Sequence, residues 1–337
     1  MKTIILEKPE LFARAETPEP GKPGPGEALV QVGRVGICGT DLHAFAGRQP
    51  FFEYPRILGH ELGVEVLEVG AGVENVAVGM RCAVEPYMNC GTCRPCQIGR
   101  YNCCEVLSLI GVHTDGGMRE RIVVPAHKLH VSDKLALEQL ALVETLGIGA
   151  HAVQRADVKE GEKVLVVGVG PIGLGAVQFA QLAGAEVVVL DASEQRLDFC
   201  RAQFGLEHCV RAGDGALDAV QTIFNGLPAA VFDATGHRGA MEASFDFVAS
   251  AGRLVYIGFQ RDHVSFPNPE FHRREMTIMS SRNALGDDFS RIISWMEEGR
   301  IDTRPWITHR LAYGDIVEDF ASLQAPEAGV LKAVLEL

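Results

Sequence analysis

Five of the chain's nine cysteines fall within YMNCGTCRPCQIGRYNCC, Tyr87 to Cys104. Cys90, Cys93, Cys96 and Cys104 follow the spacing C-x2-C-x2-C-x7-C. Thiolates so close in sequence can converge on one ion from a single loop. Four of them at about 2.3 Å form a closed tetrahedral zinc shell. A closed shell leaves no position for a substrate, so a structural role is expected. An iron–sulfur cluster would use ligands of the same softness. Ordinary buried or reactive thiols are the plain alternative, but free cysteines do not normally recur at ligand spacing. Cys103 abuts Cys104, and which of them ligates depends on the register of the motif.

A second group of donors lies upstream, in GICGTDLH (Gly36 to His43) and PRILGHELG (Pro55 to Gly63). Cys38 and His60 are a thiolate and an imidazole, a pair suited to zinc, and Glu61 adjoins His60. Glu144 sits in the apolar stretch ALVETLGIGAHAV. A buried, unpaired carboxylate is costly, and a cation beside it would explain it. Three or four protein ligands and an exchangeable water describe a catalytic zinc. Singly, these residues are ordinary: a lone histidine is more often packed or exposed, and a lone glutamate can face solvent from a helix end. The joint arrangement carries the inference.

The third motif is EKVLVVGVGPIGLGAVQFAQLAGAEVVVLDASEQR, Glu162 to Arg196. Lys163 to Val167 is a continuous β-branched run, the mark of a buried parallel strand. Gly168, Gly170 and Gly173 make G-x-G-x-x-G, with Pro171 and Ile172 opening a helix. A second strand, Glu186 to Leu190, ends in Asp191. Gly168 permits the tight turn, Gly170 admits the pyrophosphate, and Gly173 lets helix pack on strand. The helix N-terminus offers free N–H groups to phosphates. Asp191 can accept from the ribose hydroxyls, which favours NAD over NADP, while Arg196 is able to accommodate a 2′-phosphate. Further strands are expected at Ala229 to Thr235, Arg253 to Phe259 and Thr277 to Ser281, with a short one near Cys209 and Val210. Six parallel strands with intervening helices make a doubly wound sheet. Thr235 and Gly258 then lie at strand ends, where ligands bind in such sheets.

The elements that position these motifs fit the whole chain. Its 337 residues suffice for two domains. The net charge of −13, with no Lys/Arg run, argues against a nucleic-acid or anionic-membrane surface. No eighteen-residue apolar run suggests a membrane span. The apolar stretch before Glu7 is too short for a signal peptide, so a cytoplasmic location is expected.

In their order and spacing, GICGTDLH, GHE, the four-cysteine loop and GVGPIG resemble the zinc-dependent medium-chain dehydrogenases, including alcohol, sorbitol and threonine dehydrogenases. The resemblance covers nearly the whole chain. It implies an α/β chain: a GroES-like, mostly-β catalytic domain from residues 1–150 and 283–337, and a Rossmann NAD-binding domain from 151–282. The stretch Asp288 to Arg300 reads as the amphipathic helix returning to the catalytic domain. Two zinc ions per chain and NAD are implied. Cys38, His60 and Glu61 match the catalytic zinc positions, and Cys90, Cys93, Cys96 and Cys104 the structural ones, which selects Cys104 over Cys103. Glu144 stands where alcohol dehydrogenase has cysteine, as in the polyol and threonine branches. There Glu61 or water completes the shell, and Glu144 ligates directly or through water. Val64 departs from the usual glycine of GHExxG, with Gly63 one place early.

The implied reaction is reversible oxidation of a secondary alcohol to a ketone. The substrate hydroxyl binds zinc as an alkoxide, Thr40 takes its proton, His43 relays it to solvent, and hydride passes to NAD. Glu61 belongs to the same catalytic group. SSRNALGDD, Ser280 to Asp288, resembles a sugar-acid branch acting on hexonates such as galactonate or gulonate. Arg282 could clamp a carboxylate there, or it contacts cofactor or pairs with Asp287 or Asp288. His113, Asp115 and Glu120 are further pocket candidates. The partner is thus a small polyol or sugar acid, neither nucleic acid nor membrane. A threonine dehydrogenase shares the glutamate pattern. A non-catalytic NAD-binding sensor would be expected to lose Cys38, His60 or Thr40, which are all present. The family forms homodimers and homotetramers, often through the last Rossmann strand.

Overall fold

The computed structural model describes residues 1–49 and 52–337. The chain forms two compact units, one of Met1–Thr145 with Ala284–Leu337, the other of Leu146–Asn283. The first division falls inside the helix Val143–Ala156, which also runs through the expected boundary at 150/151 without a break.

The first unit is built on a seven-stranded sheet. Its path runs Ile307–Ala312, Lys332–Glu336, Glu27–Ile37, Glu61–Val69, Arg81–Val84 and Leu129–Val131, with Arg121–Pro125 also pairing Glu27–Ile37. The strand Glu27–Ile37 is the hub. Its alternate residues Ala28, Val30 and Val32 are buried, the period-two pattern of a sheet with one face on the core. That core also holds Val64, Val66, Val84, Ile122, Val124 and Leu335.

Register at one end of this sheet has chemical consequences. Gly36 stands opposite Glu61, and Ile37 opposite Ala333. The strand Glu27–Ile37 ends at Cys38, the strand Glu61–Val69 begins just after His60, and the last strand begins at Lys332. Cys38, His60, Glu61 and Lys332 therefore share one sheet end. Gly36 is needed there, because a Cβ would lie 2.0 Å from Glu61 Oε2. Gly63 has its own reason: a Cβ would lie 1.9 Å from the Leu137 carbonyl oxygen. The displaced glycine of GHELG marks where the helix Leu137–Ala141 crosses the strand.

The second unit is a six-stranded parallel sheet ordered Cys209–Arg211, Glu186–Asp191, Lys163–Val167, Ala230–Asp233, Arg253–Tyr256 and Thr277–Ser280. This is strand order 3-2-1-4-5-6, the Rossmann arrangement. The strand Lys163–Val167 has the expected bounds. Three later strands stop short of expectation, Thr277–Ser280 by one residue and the other two by more. Ala230–Asp233 ends where the Asp233 carboxylate takes the Thr235 amide in a local turn, and Gly236 follows at φ +61°. Arg253–Tyr256 ends where the Ile257 and Gly258 amides turn to the Asp233 carbonyl.

The amphipathic helix expected over Asp288 to Arg300 runs over Gly286–Glu297. Asp288 Oδ2 accepts the Leu285 amide, so the carboxylate caps the helix from inside its first turn. Gly299 at φ +73° closes the other end.

Candidate active site and metal centres

The four-cysteine loop brings Cys90, Cys93, Cys96 and Cys104 together within one cluster. Cys93 Sγ lies 3.4 Å from Cys96 Sγ and 3.8 Å from Cys104 Sγ, and Cys104 Sγ lies 3.6 Å from Cys90 Sγ. A tetrahedron of thiolates about 2.3 Å from a central zinc has edges of about 3.8 Å. The spacing fits such an ion. Cys103 is outside the cluster. Backbone amides support the thiolates: Cys104 Sγ accepts from Cys90, and Cys90 Sγ from Thr92 and Cys93. Hydrogen bonds led by Thr92 draw the Cys90 thiol down to about 6, while burial and then the Cys93 thiol push Cys96 up.

The second centre is buried. Ligand atoms of Cys38, His60 and Glu61 lie within 4.8 Å of one another. Cys38 caps the helix Gly39–Phe45, and its amide donates to Asp41 Oδ2 at 2.9 Å. Asp41, invisible as a site residue in the sequence, points Oδ1 at His60 Nδ1, 3.8 Å away. Both atoms are buried and lack a hydrogen-bond partner. Lys332 Nζ lies 2.5 Å from Glu61 Oε1, and the two side chains are 2% and 1% exposed. Glu144 stands outside the three-residue cluster. Its carboxylate accepts from the hydroxyl of fully buried Tyr87.

The electrostatics call for a cation. Cys38, Asp41, Glu61 and Glu144 are acidic groups around His60, and the Lys332 ammonium pairs with Glu61. Burial raises the Asp41 carboxyl, with the His60 charge opposing, and burial raises Glu144 likewise. Burial alone would lower His60, but Asp41, then Cys38 and Glu144, hold it well above 6.5. Thiolate, imidazole and carboxylate donors around unpartnered buried atoms suit zinc.

Thr40 and His43 occupy one helix, Gly39–Phe45, three residues apart and so on one face. Thr40 is half-buried and His43 exposed. Glu120 is tied to the first strand, its carboxylate accepting the Lys2 amide at 2.8 Å. His113 Nδ1 accepts the Leu109 amide, and Asp115 Oδ1 the Ile57 amide. Gly116 and Gly117 serve close approach, since a Cβ on either would meet Leu58 or Leu62 within 2.5 Å. Arg282 is exposed, just past the strand Thr277–Ser280.

In the second unit two of the motif's three glycines have a visible backbone task. Gly168 has φ +82°, and a Cβ there would lie 2.7 Å from Thr235 Cγ2. A Cβ on Gly173 would lie 1.9 Å from the Gly168 carbonyl oxygen. Gly170, the residue before the helix Pro171–Leu182, faces open space, its nearest neighbour being Arg196 at 3.8 Å. Asp191 accepts the Val169 and Ser193 amides, both at 2.8 Å, and Arg196 Nη1 stands 3.9 Å from it. Asp233, wholly buried, accepts from the Thr235 and Ser244 hydroxyls at 2.7 Å and so orients Thr235. Gly258 lets two turns touch: a Cβ there would lie 2.3 Å from the Gly236 amide nitrogen.

A dinucleotide motif on a Rossmann sheet and two cysteine-containing donor clusters define a zinc- and nicotinamide-dependent oxidoreductase. The Alcohol dehydrogenase GroES-like domain matches residues 24–134, and the Zinc-binding dehydrogenase domain residues 171–298. The chain is 40% identical to L-galactonate-5-dehydrogenase of Escherichia coli (strain K12), over 95% of this chain and 94% of that one. It is 31% identical to L-threonine 3-dehydrogenase of Pyrococcus furiosus, over 100% and 99%. A solved short chain alcohol dehydrogenase (rspB) from E. coli CFT073, complexed with NADH, superposes with a TM-score of 0.93 at 31% identity, covering 100% of this chain and 99% of that one. The chain belongs to the zinc-dependent medium-chain alcohol dehydrogenases. It is an NAD-dependent enzyme that acts on a secondary alcohol.

Proposed function

We propose that the substrate is a sugar acid, a hexonate whose secondary hydroxyl is oxidised to a ketone. The observation that carries this is the 40% identity, over nearly the full length of both chains, to an L-galactonate dehydrogenase. The residues are compatible with it. Cys38, His60 and Glu61, with Glu144 beside them, would hold the catalytic zinc, and Cys90, Cys93, Cys96 and Cys104 the structural one. When bound, the zinc supplies Lewis acidity that makes a hydroxyl more acidic, and NAD accepts the hydride. Overall, a secondary alcohol and NAD+ yield a ketone, NADH and one proton.

The proton leaves through the helix that Cys38 caps. Half-buried Thr40 accepts it from the substrate hydroxyl. Exposed His43, one turn on, releases it to water. On this reading Thr40→Ala lowers kcat about a hundredfold or more, at unchanged zinc content. Full turnover would remove Thr40 from the path. Gly168, Gly170 and Gly173 shape the turn for the pyrophosphate, Asp191 takes the ribose, and Thr235 and Gly258 line the strand ends. Arg282, exposed beyond the last strand of its sheet, is the proposed clamp for the substrate carboxylate.

The competing reading, oxidation of L-threonine, is favoured by the 31% identity to a threonine dehydrogenase. NADH formation by the zinc-loaded protein on hexonates, polyols, simple alcohols and L-threonine, with NAD and NADP, decides between them. A hexonate preference supports the clamp; a preference for threonine or a polyol refutes it; silence on all of them favours a sensor. The proposal includes a cytoplasmic setting, where a reducing medium keeps thiolates available to metal. No helix among the described residues is long and apolar enough to cross a membrane. We assign a dimer or tetramer contact to Thr277 to Ser281, whose strand Thr277–Ser280 is one of the two edges of its sheet.

A further inference from the structure

Tyr87 has no role in the chemistry above, yet it is fully buried against it. It lies in the two-residue strand Tyr87–Met88, opposite Leu109. Its ring meets Phe289 edge-on, with centroids 6.3 Å apart at 78°. Two residues earlier, buried Glu85 pairs with the Lys128 ammonium, and the Glu85 amide donates to the Lys128 carbonyl at 2.8 Å. The segment is thus held by its strand partner, an aromatic contact and an ion pair. The phenol cannot move far, and its hydroxyl donates to Glu144 Oε1.

A carboxylate has two oxygens to offer. With Oε1 engaged by a fixed phenol, Glu144 is left with Oε2 for a cation or for a water on that cation. Free of the phenol, it could rotate, ligate through both oxygens, or turn away. Groups that orient metal ligands in this manner commonly control affinity by about 10–100-fold.

We infer that Tyr87 is a positioning residue of the catalytic metal centre: its hydroxyl holds Glu144 to one free oxygen beside Cys38, His60 and Glu61. The inference rests on reading those residues as a zinc site. It concerns metal binding and not the identity of the alcohol, so it stands or falls independently of the hexonate.

The test is zinc titration of the full-length, metal-stripped protein against a chromophoric chelator. The parent is expected to take up two zinc ions. Tyr87→Phe is expected to weaken one of them about 10–100-fold and to leave the four-cysteine site unchanged. In a Glu144→Ala background, Tyr87→Phe should add nothing, because the group it acts through is gone. A Tyr87→Phe protein that binds both ions like the parent overturns the inference. So does a Tyr87→Phe effect that persists undiminished without Glu144. A parent that takes up one zinc ion overturns the metal-site reading itself, and this inference with it. Should Tyr87→Phe alone fail to fold, the double variant decides. Removing both partners leaves no unpaired buried group, so folding and zinc uptake like Glu144→Ala support the inference, and continued misfolding refutes it.

Discussion

Lys332→Met is the sharpest perturbation of the catalytic centre that leaves every candidate ligand in place. Methionine retains most of the apolar stem and removes the charge. In the protein, Lys332 and Glu61 are 2% and 1% exposed, with 2.5 Å between Nζ and Oε1. Breaking a buried pair by removing one partner costs about 3–5 kcal/mol. At roughly 2–4 °C per kcal/mol for a unit of this size, the metal-stripped variant should melt about 6–20 °C below the parent. Zinc adds a second positive charge beside Glu61, so the zinc-loaded variant should lose markedly less. The assay is thermal unfolding of parent and variant, each stripped with chelator and each reloaded. Equal losses in both forms would refute the electrostatic coupling of Lys332 to the metal centre. An unchanged melting temperature in the stripped form would refute the buried pair itself. Lys332→Met with Glu61→Gln should recover part of the loss, since the orphaned charge is then gone.

Cys93→Ser should cut zinc content from two ions to one while the remaining ion stays competent, measured by metal analysis and turnover on saturating substrate. Asp191→Ala removes the acceptor for the Val169 and Ser193 amides and for the ribose. At about 1.5–3 kcal/mol per charged hydrogen bond, KM for NAD should rise about tenfold or more, with NADP far less affected. Glu162 accepts both arms of the Arg253 fork at 2.6 Å, and these bonds hold its carboxyl below the ordinary 4.5. A lowered folded-state value means the contribution is complete above that ordinary value and fades as pH falls through the folded one. The melting difference between parent and Glu162→Gln should therefore be present at pH 7 and shrink in strong acid. A difference that persists undiminished in acid would mean the pair is not what stabilises.

Much of the nucleotide half was legible along the chain. Lys163–Val167 was bounded correctly because a parallel strand covered on both faces reads as an unbroken apolar run. Its glycines announced backbone needs that the structure bears out at Gly168 and Gly173. The cysteine loop was legible for the same reason: all its donors lie within one short segment, so spacing alone implies convergence. Strand ends were less so. The stops after Asp233 and Tyr256 depend on amides turning to Asp233, a partner chosen by the fold.

At the catalytic centre the division is sharper. The sequence by itself offered the candidate donor types, Cys38 with His60 and Glu61, and the pair Thr40 and His43, because each sits in a short motif; the helix Gly39–Phe45 that carries the pair came only with the structure. Tertiary structure alone decided what surrounds them. Lys332 opens an unremarkable strand, KAVLE, 271 positions from Glu61, and nothing near it hints at a metal. Antiparallel pairing of that strand with Glu27–Ile37, itself paired to Glu61–Val69, carries the ammonium to the site. Tyr87 reads as the edge of the cysteine loop and Asp41 as one more residue of GICGTDLH, yet both close on the candidate donors. Donor chemistry is a property of side chains and near neighbours, whereas the groups that neutralise and orient a buried charge are chosen by strand order and register.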